Sequence, residues 1–423
     1  METVESGHNQ KSKWFYGWVI VAVCNLSLMV VFGIRLSFTV FFVALIDEFG
    51  WTRADTSLIY SVSMLVFAAV SPLAGIGLDR WGARRTFGLG AAVLSFGLLL
   101  SSRVETLLQL TLAYGVVAGL GVTILGLGPQ ASLISRWFRR RRGLAIGITF
   151  AGTGIGSLLL TPGAEYMIRH YSWREAYVGL AVLAFVILPL NVILLRLSPA
   201  EKQLHPDGLP EEPQVGESSE SREDWKIGEV VRNPGFWLIM LAALGSIGPV
   251  RMLTVHQLAI AADAGFERSF ASLVIGFTGI FTAIAFILMG VFSDRFGRLP
   301  VYIIGSICLV CAMIVIYRID SPDQLGWLVM YIILLGIGEG SRSSLVTAAA
   351  SDLFPGNALG AVNGAVGAFF GLGAAIFPWL AGRLYDLQGN YLAVFIFAGT
   401  AVLISVLALW QAPKFKTFLA RGN

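Results

Sequence analysis

"GIGLDRWGARR", residues 75–85, returns as "GVFSDRFGR", residues 290–298, and the spacing between the two copies decides the fold. Gly75, Asp79, Arg80 and Gly82 correspond to Gly290, Asp294, Arg295 and Gly297 at a constant offset of 215. Each copy is a polar, basic turn between two long apolar runs. One such turn is an ordinary solvated loop. Two at equivalent places in a 423-residue chain mark an internal duplication, the sequence sign of a rocking transporter. Glycine-rich runs ending at Pro162 and Pro378 repeat at an offset of 216.

The runs around these turns belong in lipid. The chain is 56% hydrophobic and 13% charged, with mean hydropathy +0.74; a soluble domain is about a quarter charged. A bilayer core of about 30 Å needs roughly 20 apolar residues, and runs of that length recur from end to end. The short alternating segments of a membrane β-barrel are missing. The chain therefore reads as an all-α membrane protein of twelve transmembrane helices. They are expected at 14–45, 54–78, 83–103, 106–136, 141–168, 174–197, 233–263, 270–293, 299–319, 324–351, 358–385 and 390–411. The run after the polar start "METVESGHNQKSK" is too long for a signal peptide's core and should remain as the first span. Cys24, Cys308 and Cys311 fall inside spans and form neither a disulfide framework nor a metal site, so no cofactor is expected.

Residues 199–232 change character. They are acidic and rich in Pro, Ser and Gly, too polar to order themselves by burial. They divide the chain into a first six-helix bundle, 1–198, a linker, and a second six-helix bundle, 233–423. "DWKIGEVVRNP" at the linker's end suggests a short helix on the membrane surface. With both termini taken as cytoplasmic, twenty Lys and Arg fall in the inside segments and seven in the outside ones, following the positive-inside bias. Orientation thus accounts for a pI of 9.0 without any nucleic-acid partner.

The motif G-x3-D-R-x-G-x-R-R resembles the loop signature of the major facilitator superfamily. The resemblance extends over the whole twelve-span layout and implies two pseudo-symmetric six-helix bundles. In that family the motif's acid and base are associated with contacts between the halves. That gating role falls here on Gly75, Asp79, Arg80, Gly82 and Arg84, and on Asp294 and Arg295. "WFRRRRGLAIGITFAGTGIG", residues 137–156, resembles the fourth-to-fifth-span signature of monocarboxylate transporters, and "YGWV" from Tyr16 echoes their first-span entry. The chain departs from the animal members at two places. Their first-span lysine aligns with Leu36, beside Arg35, and the eighth span carries no charge before Asp294.

Charge inside the bilayer costs at least ~2.5–3.5 kcal/mol on insertion scales, so it faces a partner or a wet cavity. Arg35 lies in span one, Arg251 and His256 in span seven, Glu339 and Arg342 in span ten. In the superfamily fold, spans one, four, seven and ten line the central cavity. At ~100° per residue, Tyr331, Gly338, Glu339 and Arg342 share a third of one helix face. The alternative is a local Glu339–Arg342 pair at i, i+3. Arg251 and His256 are five residues apart and need a bend at Gly245, Gly248 or Pro249 to face one cavity. Arg35 could instead snorkel to the headgroups, and Asn25 and Tyr114 could be ordinary helix packing.

A cavity with excess arginine suits a small organic anion, because guanidinium grips carboxylate through two parallel hydrogen bonds. The expected substrate-binding set is Arg35, Asn25, Tyr114, Arg251, His256, Tyr331 and Arg342, with Glu339 and His256 as proton-coupling residues. No HExxH, P-loop or paired catalytic carboxylates argue for an enzyme, and "GTGIG" at 152–156 lies within a span. Span four has no arginine before Arg136, unlike drug/proton antiporters. The expectation is a plasma-membrane, monomeric, proton-coupled symporter of monocarboxylates such as lactate or pyruvate. The alternatives are exchange of a dicarboxylate for a monocarboxylate, and a non-transporting receptor of the same fold.

Overall fold

The computed structural model describes residues 15–138, 141–208, 227–354 and 359–415, and no strand occurs among them. Among the described residues, eleven helical stretches are long and apolar enough to cross a membrane. The longest, Arg53–Ser101, is two spans in one: Gly82 interrupts it at φ 77°, ψ 168°. Gly297 makes the same turn at φ 90°, ψ 158°. Both conformations are open to glycine and strained for any L side chain. The duplication read from the two loops is therefore present in the backbone, and the spans number twelve.

Spans one to six are Gly17–Phe49, 53–81, 83–101, Leu107–Trp137, Leu144–His170 and Trp173–Leu194. Spans seven to twelve are Pro234–Asp263, Arg268–Ser293, Arg298–Tyr317, Leu325–Leu353, Val362–Gln388 and Leu392–Lys414. The two GxxxD-type turns and the linker ends share one face of the molecule, termed the linker face here; the opposite one is the far face. At the far face, spans two, four and six start on side-chain caps from Thr52, Thr106 and Ser172, each satisfying backbone N–H groups that lipid cannot. Short helical turns follow span six at Pro199–Lys202 and Pro206–Gly208, and the helix Ile227–Arg232 precedes span seven. Residues 209–226, the middle of the expected linker, lie outside the described residues.

Several spans are broken where the sequence carries polar or small residues. Span one divides at Ser37 into Gly17–Leu36 and Phe38–Phe49. Span four contains a π-helical turn, Thr111–Ala118. Span eight divides at Phe277, and span ten divides between Gly340 and Ser343. Such interruptions free backbone groups and re-aim side chains, and transporter sites gather at them.

The halves touch along spans two and eleven and along spans five and eight. A Cβ added to Gly154 would come within 2.7 Å of the Gly279 carbonyl oxygen, and one on Gly382 within 2.6 Å of the Ala54 nitrogen. Small residues let these backbones approach closely. Toward the linker face the same four spans part: a Cβ on Gly75, Gly147, Gly290, Gly364 or Gly367 would meet nothing within 4 Å. Hydrogen bonding agrees. Among the described residues, the bonds and ion pairs between the halves gather at the far face, involving Asp47, Arg53, Ser57 and Arg169 of the first half and His256, Asp263, Glu267, Arg268, Asp386 and Tyr391 of the second. The molecule is closed at the far face and open toward the linker face.

Candidate functional site

The break at Ser37 leaves Arg35 in the last turn of the first segment of span one. Its guanidinium lies 5.6 Å from the ring centroids of Phe32 and Phe67, and Nη2 sits 2.8 Å from Met64 Sδ. It forms no ion pair with any described residue, and its Nε is buried without an acceptor. Arg35 does not snorkel; aromatic rings and a thioether hold it inside the protein. The π-helical turn of span four carries Tyr114 to the same region, within electrostatic reach of Arg35 and Tyr60. Tyr60, on span two, is buried with an unpartnered hydroxyl, and it lies within reach of Arg251 as well.

Arg251 does not stand alone. Its Nη2 meets Glu339 Oε1 at 2.5 Å, with side chains only 11% and 14% exposed. Thr282 Oγ1 donates to the other carboxylate oxygen at 3.4 Å. Arg251 Nε is again buried without an acceptor. Arg35 Nε, Tyr60 Oη and Arg251 Nε are thus three buried donors, unmatched by protein acceptors. Buried donors without partners cost about 1–3 kcal/mol each, a cost that a ligand acceptor here would relieve. Two guanidinium groups against one carboxylate leave this region with one positive charge in excess.

Arg342 differs from the expectation. The local i, i+3 pair with Glu339 is not formed, and Arg342 does not join this region. It follows the break in span ten, which turns its side chain into the second half, where it is 0% exposed. Its Nε and Nη2 donate to the Ser246 and Gly245 carbonyls at 2.9 Å, and Nη1 donates to Ser306 Oγ at 2.5 Å. The Tyr302 ring lies 4.7 Å from the guanidinium carbon. Arg342 ties spans seven, nine and ten together, its charge met by carbonyl dipoles and a ring face.

Three other expected ligands also serve packing. Asn25 Nδ2 donates to the Ile148 carbonyl at 2.7 Å, joining spans one and five. Tyr331 Oη donates to Gln257 Oε1 at 3.0 Å, joining spans ten and seven. His256 is buried at the far-face closure. The Pro378 carbonyl, 3.0 Å from Nε2, can only accept, so Nε2 carries the proton and Nδ1 accepts from Tyr391 Oη at 3.1 Å. Arg53 Nη1 donates to that Tyr391 oxygen at 2.5 Å, while Nη2 contacts both Asp263 oxygens at 2.7 and 3.0 Å. Asp386 accepts from the Arg53 and Ala54 backbone N–H groups, at 3.1 and 2.9 Å, at the start of span two. Arg53, Tyr60, Asp263 and Tyr391 escaped the sequence reading. Arg53 reads in the sequence as an ordinary loop-side charge, and nothing in the chain states that it meets residues more than two hundred positions away.

The gating motif pairs within its own half. Asp79 accepts from Arg136 of span four, and Arg84 Nε donates to the Leu195 carbonyl at 3.1 Å. Arg80 is exposed, and Arg295 lies over Phe296 at 5.4 Å. The expected tie from Asp79 to the other half is not present, because the linker-face ends of the halves stand apart. The side chain of Asp294 lies outside the described residues, as do residues 139 and 140. Among the described residues no cluster of acids, histidines or cysteines could hold a metal.

Comparison with known proteins follows the same lines. Residues 23–257 and 250–418 each match the family model of the Major Facilitator Superfamily. Monocarboxylate transporter 13 of Bos taurus is 27% identical, the alignment covering 96% of this chain and 91% of that protein. Monocarboxylate transporter 4 of Gallus gallus is 25% identical, covering 93% and 82%. Among solved structures, the nucleoside transporter NupG superposes with a TM-score of 0.71 at 13% identity, covering 93% of this chain and 99% of that one. The xylose transporter XylE from E. coli gives 0.70 at 15%, covering 94% and 97%. The chain belongs to the major facilitator superfamily: it is a multi-pass membrane transporter of the monocarboxylate-transporter-like kind.

Proposed function

We propose that this protein carries small monocarboxylates across the plasma membrane by alternating access, coupled to protons. The observation that carries the reading is the group of unmatched donors on Arg35, Tyr60 and Arg251 in a region with one surplus positive charge. A carboxylate supplies what this region lacks: two acceptor oxygens and one negative charge. Proton uptake at Glu339 frees Arg251 from its ion pair, and the released guanidinium then faces the substrate beside Arg35. The names of the curated relatives agree with this substrate class. The twelve spans then form two six-helix bundles, one on each side of the linker. The linker face is cytoplasmic, because twenty Lys and Arg gather there against seven opposite. A monomer suffices, since both halves of the site come from one chain.

Obligatory exchange of two organic anions is the second reading. The closed Arg251–Glu339 pair favours it, because a pair that never opens needs no proton. Counterflow of labelled lactate, pyruvate, formate and oxalate in proteoliposomes, with and without a pH gradient, separates the two. Symport predicts acceleration by an inward proton gradient, and Glu339→Gln should keep exchange while losing that acceleration. A wild-type rate indifferent to the gradient favours the exchanger. Failure of all four anions to exchange refutes the carboxylate site itself.

A further inference from the structure

At the far face a crevice of about 560 Å³ opens between the halves, away from the central site. It is lined by four acids, Asp47, Glu48, Glu165 and Glu267, together with Arg169 and Arg268. Three of the acids are paired: Asp47 with Arg268, Glu267 with Arg169, and Glu48 with Arg174 at 3.3 Å. The fourth is not. Glu165 of span five is 5% exposed and makes no hydrogen bond or ion pair with a described residue, although Arg268, Arg169 and Asp47 lie within electrostatic reach. A mostly buried carboxylate beside a wet crevice, with every nearby cation engaged elsewhere, is an acid kept without a fixed partner.

We propose that Glu165 is a proton-binding site that reports and biases closure of the far face. The geometry supplies the link. The Arg169–Glu267 and Arg268–Asp47 pairs each join opposite halves, so opening the far face must separate both. Arg169 then remains on span five, one helical turn after Glu165. An acid four residues before a base on one helix face is the favourable orientation for an ion pair. In the open state Glu165 gains Arg169 and holds its charge. In the closed state Arg169 returns to Glu267 and Arg268 to Asp47, Glu165 is left buried without a partner of its own, and it takes a proton from far-face water onto its carboxylate.

The sign follows from linkage. The closed state binds the Glu165 proton more tightly, so acid at the far face drives closure and thus opening toward the linker face. This holds whichever anion the central site carries, and it makes Glu165 distinct from Glu339. The groups facing it are Asp47 and Glu48 from the end of span one, Arg174 from span six, Glu267 and Arg268 from span eight, and Arg169 and His170 on its own span. Of these His170 is the one histidine, and its Nδ1 lies 2.9 Å from the Tyr166 carbonyl of its own helix.

The test is a distance between the halves. Spin labels at Arg103→Cys and Arg318→Cys, both at far-face loops, are introduced into a chain whose Cys24, Cys308 and Cys311 are replaced by serine or alanine. The protein is reconstituted in nanodiscs without substrate, and the distance distribution is measured at about pH 8 and about pH 5. The expected result is a shift toward the short distance in acid. One linked proton changes the closed-to-open ratio by up to about tenfold per pH unit between the two affinities. Glu165→Gln, which mimics the protonated acid, should be closed at both pH values, with the ratio changing less than about twofold. Glu165→Asp and His170→Asn should keep the response, the first showing that a titrating acid is what matters and the second that the histidine is not the source. A wild-type distribution independent of pH, or a Glu165→Gln response equal to wild type, overturns the proposal.

Discussion

Replacing Arg342 by lysine keeps the charge and removes the planar fork, so it separates a structural tie from a substrate ligand. In the structure the guanidinium spends three donors on the Gly245 and Ser246 carbonyls and on Ser306 Oγ, and it lies against Tyr302. A lysine ammonium can reach one side of this arrangement, not both, because the carbonyls belong to span seven and the serine to span nine. One bond to a charged group is lost if the ammonium keeps the carbonyls and two if it keeps Ser306, at about 1.5 kcal/mol each on the lower end of the usual range, giving about 1.5–3 kcal/mol. The lower end applies because hydrogen bonds measured inside membrane bundles are weaker than in water-soluble cores. For a half of this size that corresponds to a fall in Tm of about 3–12 °C. Thermal unfolding in detergent, followed by tryptophan fluorescence, reads it directly. The carboxylate Kd of the surviving folded protein should stay within about twofold of wild type. The opposite result, an unchanged Tm with affinity reduced tenfold or more, refutes the reasoning: Arg342 would then have to leave the second half during the cycle and meet the substrate.

Arg35→Gln should show the inverse profile, with Tm nearly unchanged and carboxylate affinity reduced by about tenfold or more, the scale of one bond to a charged group, read by calorimetric or scintillation-proximity binding. Asp263→Asn should loosen the far-face closure, seen as a larger inter-half distance, and Arg53→Asp combined with Asp263→Arg should restore part of the wild-type distribution; a single substitution without effect on the distance denies this pair its role. Asp79→Asn breaks a largely exposed pair worth under about 1 kcal/mol, so stability should hold, while the transport rate shifts through the access equilibrium with little change in Kd. Normal transport by Asp79→Asn leaves the motif as a solvated turn.

The layout was legible in the chain because its signals are local or additive. Hydropathy marks each span, and two loops at a fixed offset mark the repeat, down to the shared turn at Gly82 and Gly297. The identity of the charged spans was legible for the same reason: a charge in an apolar run stands out wherever it points. Direction was not. The face assigned to Glu339 and Arg342 assumed an unbroken helix at 100° per residue, and that assumption fails between Gly340 and Ser343. "GEGSRSS" contains the signal, since glycines and serines weaken the helix there, but it does not say how far the chain turns. The same small residues that interrupt span ten decide that Glu339 meets Arg251 while Arg342 enters the second half.

The far-face network was invisible for a different reason. Arg53, Asp263 and Tyr391 each look like an ordinary loop-side residue, and their meaning comes from being together. That meeting depends on which access state the halves adopt, a property spread over the glycine contacts of spans two, five, eight and eleven rather than stored in any one motif. The consequence bears on mechanism. Arg53 is bound on one side to Asp263 and on the other to Tyr391, which donates to His256, whose own proton goes to the Pro378 carbonyl. Opening the far face must therefore release a charge pair and a buried histidine in one step. His256, expected as a ligand and proton-coupling residue, is placed instead in the far-face closure, where its two ring nitrogens join Tyr391 and the Pro378 carbonyl.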